Sequence, residues 1–226
     1  MIEYIHCLAV LVFLSIAGIM DLRSRETPPF LWALATIISM PLAFYSYRTL
    51  SLSFVQIVIS IMLSLSVTLV VYVLYKKCMM GGADVLALLF LSLCSPVLPD
   101  SIVPAPFLTI IYASIPGFIY HVYSVKLVCK DLSCFLKHRF EVPAKRLAED
   151  PRLRWWMIVD GESSCVIDVD TPTLAASLAR ENPERLVKAT PGHPYVTHLA
   201  IGYAIACAIK DFPILALLVT IQSLSF

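Results

Sequence analysis

Two aspartates stand beside long apolar runs, where a charge is costly and each one demands a reason. Asp21 opens Asp21-Leu22-Arg23-Ser24-Arg25-Glu26 after the first such run, and Asp84 closes Gly81-Gly82-Ala83-Asp84 ahead of another. A pair of carboxylates has a chemistry of its own. Held close, both cannot ionise cheaply, so the pair shares one proton. The charged member takes a proton from water while the neutral one hydrogen-bonds an amide carbonyl, and the roles exchange as the amine leaves. Peptide hydrolysis then needs neither a metal nor a nucleophilic side chain. A plain structural reading stays open beside this one: Asp is a favoured helix N-cap, Gly81-Gly82 suits a turn, and Asp21 can pair with Arg23 or Arg25 at a membrane surface.

Rival catalytic inventories are thin. The chain has no Gly-x-Ser-x-Gly and no His-Glu-x-x-His. His193 and His198 are five apart and fall on different helix faces. Cys129, Cys134 and Cys165 cluster with His138 in a polar stretch, but no Cys-x-x-Cys is present, so neither a zinc site nor a disulfide framework is expected. The expectation is no metal and no other cofactor.

Whether the two carboxylates meet depends on the helices that carry them. The 226 residues are 59% hydrophobic and 15% charged, against roughly 45–50% and about 25% in globular domains. Of the 33 acidic and basic residues, 21 lie within 126–188. That is a multi-pass membrane protein with one polar insert, and a net charge of +1 argues against a nucleic-acid binder. A crossing helix needs about 20 largely apolar residues. The candidates are 4–20, 29–47, 54–75, 85–98, 105–125 and 195–209, the fourth being short, with an apolar tail at 212–226. The expected fold is an all-α polytopic membrane protein of about six transmembrane helices, with a small mixed α+β cytosolic domain inserted before the last span. Residues 1–125 form the membrane domain with spans one to five, 126–192 the cytosolic domain, and 193–226 the last span and tail.

The charges orient these spans. Residues 1–6 carry Glu3 and no Lys or Arg, whereas Arg23 and Arg25 follow the first apolar run, which marks a retained span with its N-terminus outside rather than a signal peptide. Counting onward, the short inner loops hold Arg23, Arg25, Lys76 and Lys77, and the outer side holds Arg48 and Lys210. Asp21 and Asp84 then lie at one depth in the cytoplasmic leaflet. In the insert, 155–159 and 164–169 read as a hairpin around Asp160-Gly161, while Thr171-Pro172 and Asn182-Pro183 each start a helix.

The Asp21–Glu26 stretch after the first span, matched with Gly81-Gly82-Ala83-Asp84 opening the fourth, resembles the archaeal preflagellin and prepilin peptidases. These are membrane aspartyl proteases of the GxGD type, class III signal peptidases distantly akin to bacterial prepilin peptidases and presenilin. The layout is similar too: six spans, a cytosolic insert before the last, and Thr190-Pro191…Pro194 leading into that last span. The resemblance implies that Asp21 and Asp84 are the catalytic pair, supported by Gly81, Gly82, Arg23, Arg25 and Pro194. Ala83 departs from the pattern, standing where the second glycine would be.

The implied substrates are preflagellin- or prepilin-like proteins, with a short basic leader cut just before an apolar helix on the cytoplasmic side. Glu26 is the candidate acidic partner for that leader, with Glu149, Asp150, Asp160 and Glu162 of the insert behind it. The other partner is membrane lipid. Bacterial relatives often carry a cysteine-pair loop after the first span and methylate the new N-terminus. Here 22–28 leaves seven residues, so peptidase without methyltransferase activity is expected. Two alternatives are kept: a GxGD protease acting on other membrane substrates, and a non-catalytic membrane transport or assembly subunit. A transporter favours charge at mid-span, whereas the six acids outside the insert sit near span ends.

Overall fold

The computed structural model describes residues 2–24, 26–50, 52–76, 80–129, 139–153, 155–159 and 171–212. The chain divides into two compact units, Met1–Pro116 with Pro194–Phe226, and Gly117–His193. The division falls inside a helix.

The first unit is built from long apolar helices, the form in which a chain satisfies its backbone within lipid. These are α1 (Ile2–Ser24), α2 (Pro29–Thr49), α3 (Phe54–Lys76), α4 (Gly82–Cys94), the first half of α5 (Ala105–Lys126) and a final helix, Tyr195–Ile209. Local chemistry sets their ends. Pro29 follows Pro28 at the start of α2, where a missing N–H costs nothing. Ser53 and Gln56 form a capping box ahead of α3, with the Ser53 N–H donating to Gln56 Oε1 at 2.9 Å and the Gln56 N–H to Ser53 Oγ at 3.2 Å.

Where six spans are expected, four helices among the described residues are long and apolar enough to cross a membrane: Tyr4–Ser24, Pro29–Thr49, Phe54–Lys76 and Ala105–Lys126. Gly82–Cys94 and Tyr195–Ile209 are apolar but shorter. Thirteen residues of α4 reach only about 20 Å of a hydrocarbon core about 30 Å thick. The shorter helices are the interior ones. On α4, Ala87, Leu88, Phe90, Leu91 and Cys94 are buried, and on the last helix Leu199, Tyr203 and Ala206 are. By contrast only 17% of the apolar window of α3 is buried. The apolar tail beyond 212 lies outside the described residues.

Small and hydroxylic side chains bring these helices together, as they do where hydrophobicity alone cannot drive packing. Thr68 and Ser92 hydroxyls meet at 2.9 Å between α3 and α4, and Ser95 and Tyr203 at 2.9 Å. At Gly202 the last helix passes so close to α5 that a Cβ would fall on the Thr109 carbonyl oxygen and stand 2.6 Å from the Ala113 nitrogen.

The second unit holds a three-stranded antiparallel sheet in the order β1-β3-β2, with β1 at Phe140–Pro143, β2 at Trp156–Ile158 and β3 at Leu186–Pro191. Helices α6 (Ala144–Glu149) and α7 (Thr171–Glu181) belong to it, which makes the final helix α8. Val142 stands opposite Val187, and Ile158 opposite Ala189. Alternate residues Val187, Ala189 and Pro191 of β3 are buried, the two-residue period of a half-buried strand. Phe140 and Trp156 pack edge to face with ring centres 5.4 Å apart.

Two expectations for this unit change, and a third falls partly outside the described residues. The strand at 156–158 pairs with β3, and its expected hairpin partner at 164–169 lies outside the described residues. Thr171 does start a helix, but Asn182-Pro183 makes a turn. The Asn182 side-chain oxygen accepts the Glu184 N–H at 3.2 Å, an Asx turn that competes with helix formation, and the alternating run after it becomes β3. Cys129 is disulfide-bonded, which the cysteine spacing did not anticipate.

Candidate active site

Helical periodicity explains why both aspartates are buried. On α1 the core-facing stripe runs Val10, Leu14, Ala17, and the next position on it is Asp21, which is 6% exposed. On α4, Ala87, Leu88 and Leu91 face the core, and Asp84, 8% exposed, heads the same stripe. Each carboxylate thus occupies a place where the 3.6-residue pattern puts an apolar side chain.

A buried carboxylate needs donors, and in both cases the start of a helix supplies one. Asp84 is the third residue of α4 and folds back, so that the Gly81 N–H donates to its Oδ2 at 2.9 Å. The Asp84 N–H in turn donates to the Gly81 carbonyl at 3.2 Å. A Cβ on Gly81 would stand 3.3 Å from Asp84 Oδ2, tighter than an ordinary contact, so glycine at 81 leaves room for the carboxylate. Gly82 meets nothing closer than the Tyr75 ring at 3.7 Å. Ala83 lies within the first turn of α4 and has no positive φ. A helical position accepts alanine, so the departure from the glycine pattern carries no backbone strain.

Asp21 is served across the unit. Helix α8 begins after Pro194, which offers no side-chain cap, leaving the first amides of α8 in want of an acceptor. The Val196 N–H donates to Asp21 Oδ2 at 3.2 Å. The α1 carboxylate thereby caps a helix that starts more than 170 residues later, and the positive end of the α8 dipole lies against its charge. In the same turn, Tyr195 lies within electrostatic reach of Asp84. The first turn of α8 therefore donates to Asp21 and lies within electrostatic reach of Asp84. Pro194 is buried at its head.

The other described residues expected at the site are less buried than the two aspartates. Arg23 and Glu26 are exposed, Gly81, Gly82 and Ala83 are half-buried, and Arg25 lies outside the described residues. Ser24 closes α1 with its hydroxyl donating to the Met20 carbonyl at 3.1 Å. Among the acids of the second unit, Glu149 is exposed, while Asp160 and Glu162 lie outside the described residues. Asp150 accepts two bonds from the Arg152 guanidinium, each 2.9 Å. That guanidinium holds the Asp150 carboxyl below its ordinary range.

Among the described residues no three His, Cys, Asp or Glu side chains are grouped to hold a metal ion. His193 stacks on His121 with Nε2 and Nδ1 at 3.3 Å. The cysteines and histidine weighed for zinc fall outside the described residues, apart from Cys129.

Reading the spacing of acids and glycines misses the participation of Tyr195, Val196, Thr197 and Gly18. The available signal was a helix starting at proline with no Ser, Thr, Asp or Asn to cap it, which obliges an acceptor to come from elsewhere in the fold.

No curated protein and no solved structure matches the chain. The sequence model of the type IV leader peptidase family does, over residues 8–122, a stretch that runs from α1 into α5 and contains both aspartates. Two buried carboxylates on matched helices, in a chain rich in membrane-length helices, are in keeping with that result: the chain belongs to the type IV leader peptidase family.

Proposed function

We propose that this family member is a membrane aspartyl endopeptidase that removes the short basic leader of prepilin-like and archaeal preflagellin-like subunits. Asp21 and Asp84 activate water as a pair, and the new N-terminus is left unmethylated. The N-terminus is outside, and the active site and the domain at 126–192 are on the cytoplasmic side. What supports this most is the arrangement around α8: two carboxylates from different helices, both buried, one bonded to the first turn of α8 and the other within electrostatic reach of Tyr195 in that turn.

The chemistry follows from that arrangement. The amide N–H groups of Gly81 and Val196 hold the Asp84 and Asp21 carboxylates in place. Water attacks the scissile carbonyl as one carboxylate takes its proton, and the other donates to the carbonyl oxygen. The tetrahedral intermediate collapses when the amine leaves with a proton from the carboxylic acid. No metal or other cofactor enters. Glu26, exposed just beyond α1, offers a negative charge to the basic leader.

The test is where the cut falls. Membranes carrying the protein are incubated with a preprotein that has a basic leader ahead of an apolar helix, and the product N-terminus is read by mass spectrometry. The expected product begins at the helix with a free, unmethylated amine. Cleavage inside the apolar helix would mean a protease for other membrane substrates, and a methylated amine would contradict the single activity.

A second reading has an observation on its side. Both aspartates accept N–H groups at helix starts, which is what caps do in a non-catalytic membrane subunit. Asparagine retains much of a cap but cannot share a proton, so it separates the two readings.

A further inference from the structure

We propose that Gly18 and Thr197 form a positioning clamp that sets the depth and azimuth of α8 against α1, and so places Asp21 for catalysis. This rests on Asp21 being a member of the catalytic pair.

Beside the Val196–Asp21 hydrogen bond, a second bond ties the first turn of α8 to α1. The Thr197 hydroxyl donates to the Gly18 carbonyl at 2.8 Å, so two consecutive residues of α8 donate to two residues of α1 that lie three apart on one face. The backbones are close here because residue 18 has no side chain. A Cβ on Gly18 would stand 3.1 Å from Thr197 Cα and 3.5 Å from its nitrogen. The atoms in the way are backbone, which does not swing aside as a flexible side chain would.

Thr197 is set apart by donating to a backbone carbonyl of another helix, although the Thr68 hydroxyl also crosses, to Ser92. Thr36, Thr68 and Thr109 return their hydroxyls to carbonyls four residues back on their own helices, and Thr49 to one three back, the usual local outlet for this side chain. At Thr197 the residue four back is His193, which precedes the helix. The carbonyl three back, that of Pro194, accepts the His198 N–H, and the Thr197 hydroxyl crosses to α1. Placing a threonine in the first turn of α8 thus converts a local bond into an inter-helix one, a single turn from a buried carboxylate.

Misplacement of a reacting group by about 1 Å costs on the order of a hundredfold in rate. The experiment measures kcat, KM and thermal stability in detergent for Thr197→Val, Thr197→Ser and Gly18→Ala beside wild type, with Asp21→Asn as reference. Thr197→Val keeps the shape and loses the donor. The expected result is a kcat roughly ten- to a hundredfold lower with KM within about twofold, restored to near wild type by Thr197→Ser, and a several-fold loss in kcat for Gly18→Ala. Should Gly18→Ala fail to fold, the two Thr197 variants decide. The clamp is overturned if Thr197→Val keeps a kcat within about twofold of wild type while Asp21→Asn is inactive, or if Thr197→Ser is no better than Thr197→Val. An active Asp21→Asn would instead bring down the two-aspartate reading itself, and the clamp with it.

Discussion

Asp21 at the end of α1 accepts the backbone N–H of Val196 at 3.2 Å, and so serves as the N-cap that α8 lacks. In the proposed mechanism this one carboxylate has two tasks, and they can be separated experimentally. Asparagine retains an acceptor oxygen, whereas alanine removes it. Losing a cap costs about 1 kcal/mol, or a few degrees in Tm for a chain of this size. Asp21→Ala should melt a few degrees below wild type in detergent, and Asp21→Asn close to it. Equal melting of Asp21→Ala and wild type would show that the bond to Val196 contributes nothing to holding α8.

The two glycines ahead of Asp84 are not equivalent. A methyl group on Gly81 presses on the carboxylate at 3.3 Å, while one on Gly82 meets only the Tyr75 ring at 3.7 Å. Gly81→Ala should lower kcat about tenfold, within the cost of a sub-ångström displacement, and Gly82→Ala should stay within about twofold of wild type. The reverse order in a cleavage assay would contradict this placement of the carboxylate.

At Gly202, α8 lies close against α5, and the atoms in the way of a side chain are the Thr109 carbonyl and the Ala113 nitrogen. Overpacking of this kind typically costs about 1–3 kcal/mol. Gly202→Ala should therefore lower Tm by several degrees, and Gly202→Val should reduce the yield of folded protein in membranes. A Gly202→Ala variant as stable as wild type would mean that the two helices are not held this closely.

Much of this was legible in the residues because the relevant forces are local. Apolar length marks α1, α2, α3 and α5, and the start of α8 after Pro194 follows from the missing proline N–H. The helical stripe through Val10, Leu14 and Ala17 points straight at Asp21. Less legible were features decided by neighbours distant in sequence. The shortness of α4 is tolerated because it is enclosed by other helices, which no window of its own residues reveals. Asn182-Pro183 carries the marks of a helix start and becomes a turn because its side chain closes on Glu184 and β3 has two strands waiting to pair. The contacts of α8 with Asp21 and Gly18 span the chain almost from end to end, and the only local hint of them was a proline where a cap should be.

The most direct measurement is turnover of a basic-leader preprotein by wild type, Asp21→Asn and Asp84→Asn in membranes, with folding of each variant checked by thermal melting. A proton-sharing pair predicts that both variants fold and that each loses more than about a hundredfold in kcat, the scale of general acid–base catalysis. Near-normal turnover by either variant would make that aspartate a helix cap and nothing more, and would contradict hydrolysis by two carboxylates in this chain.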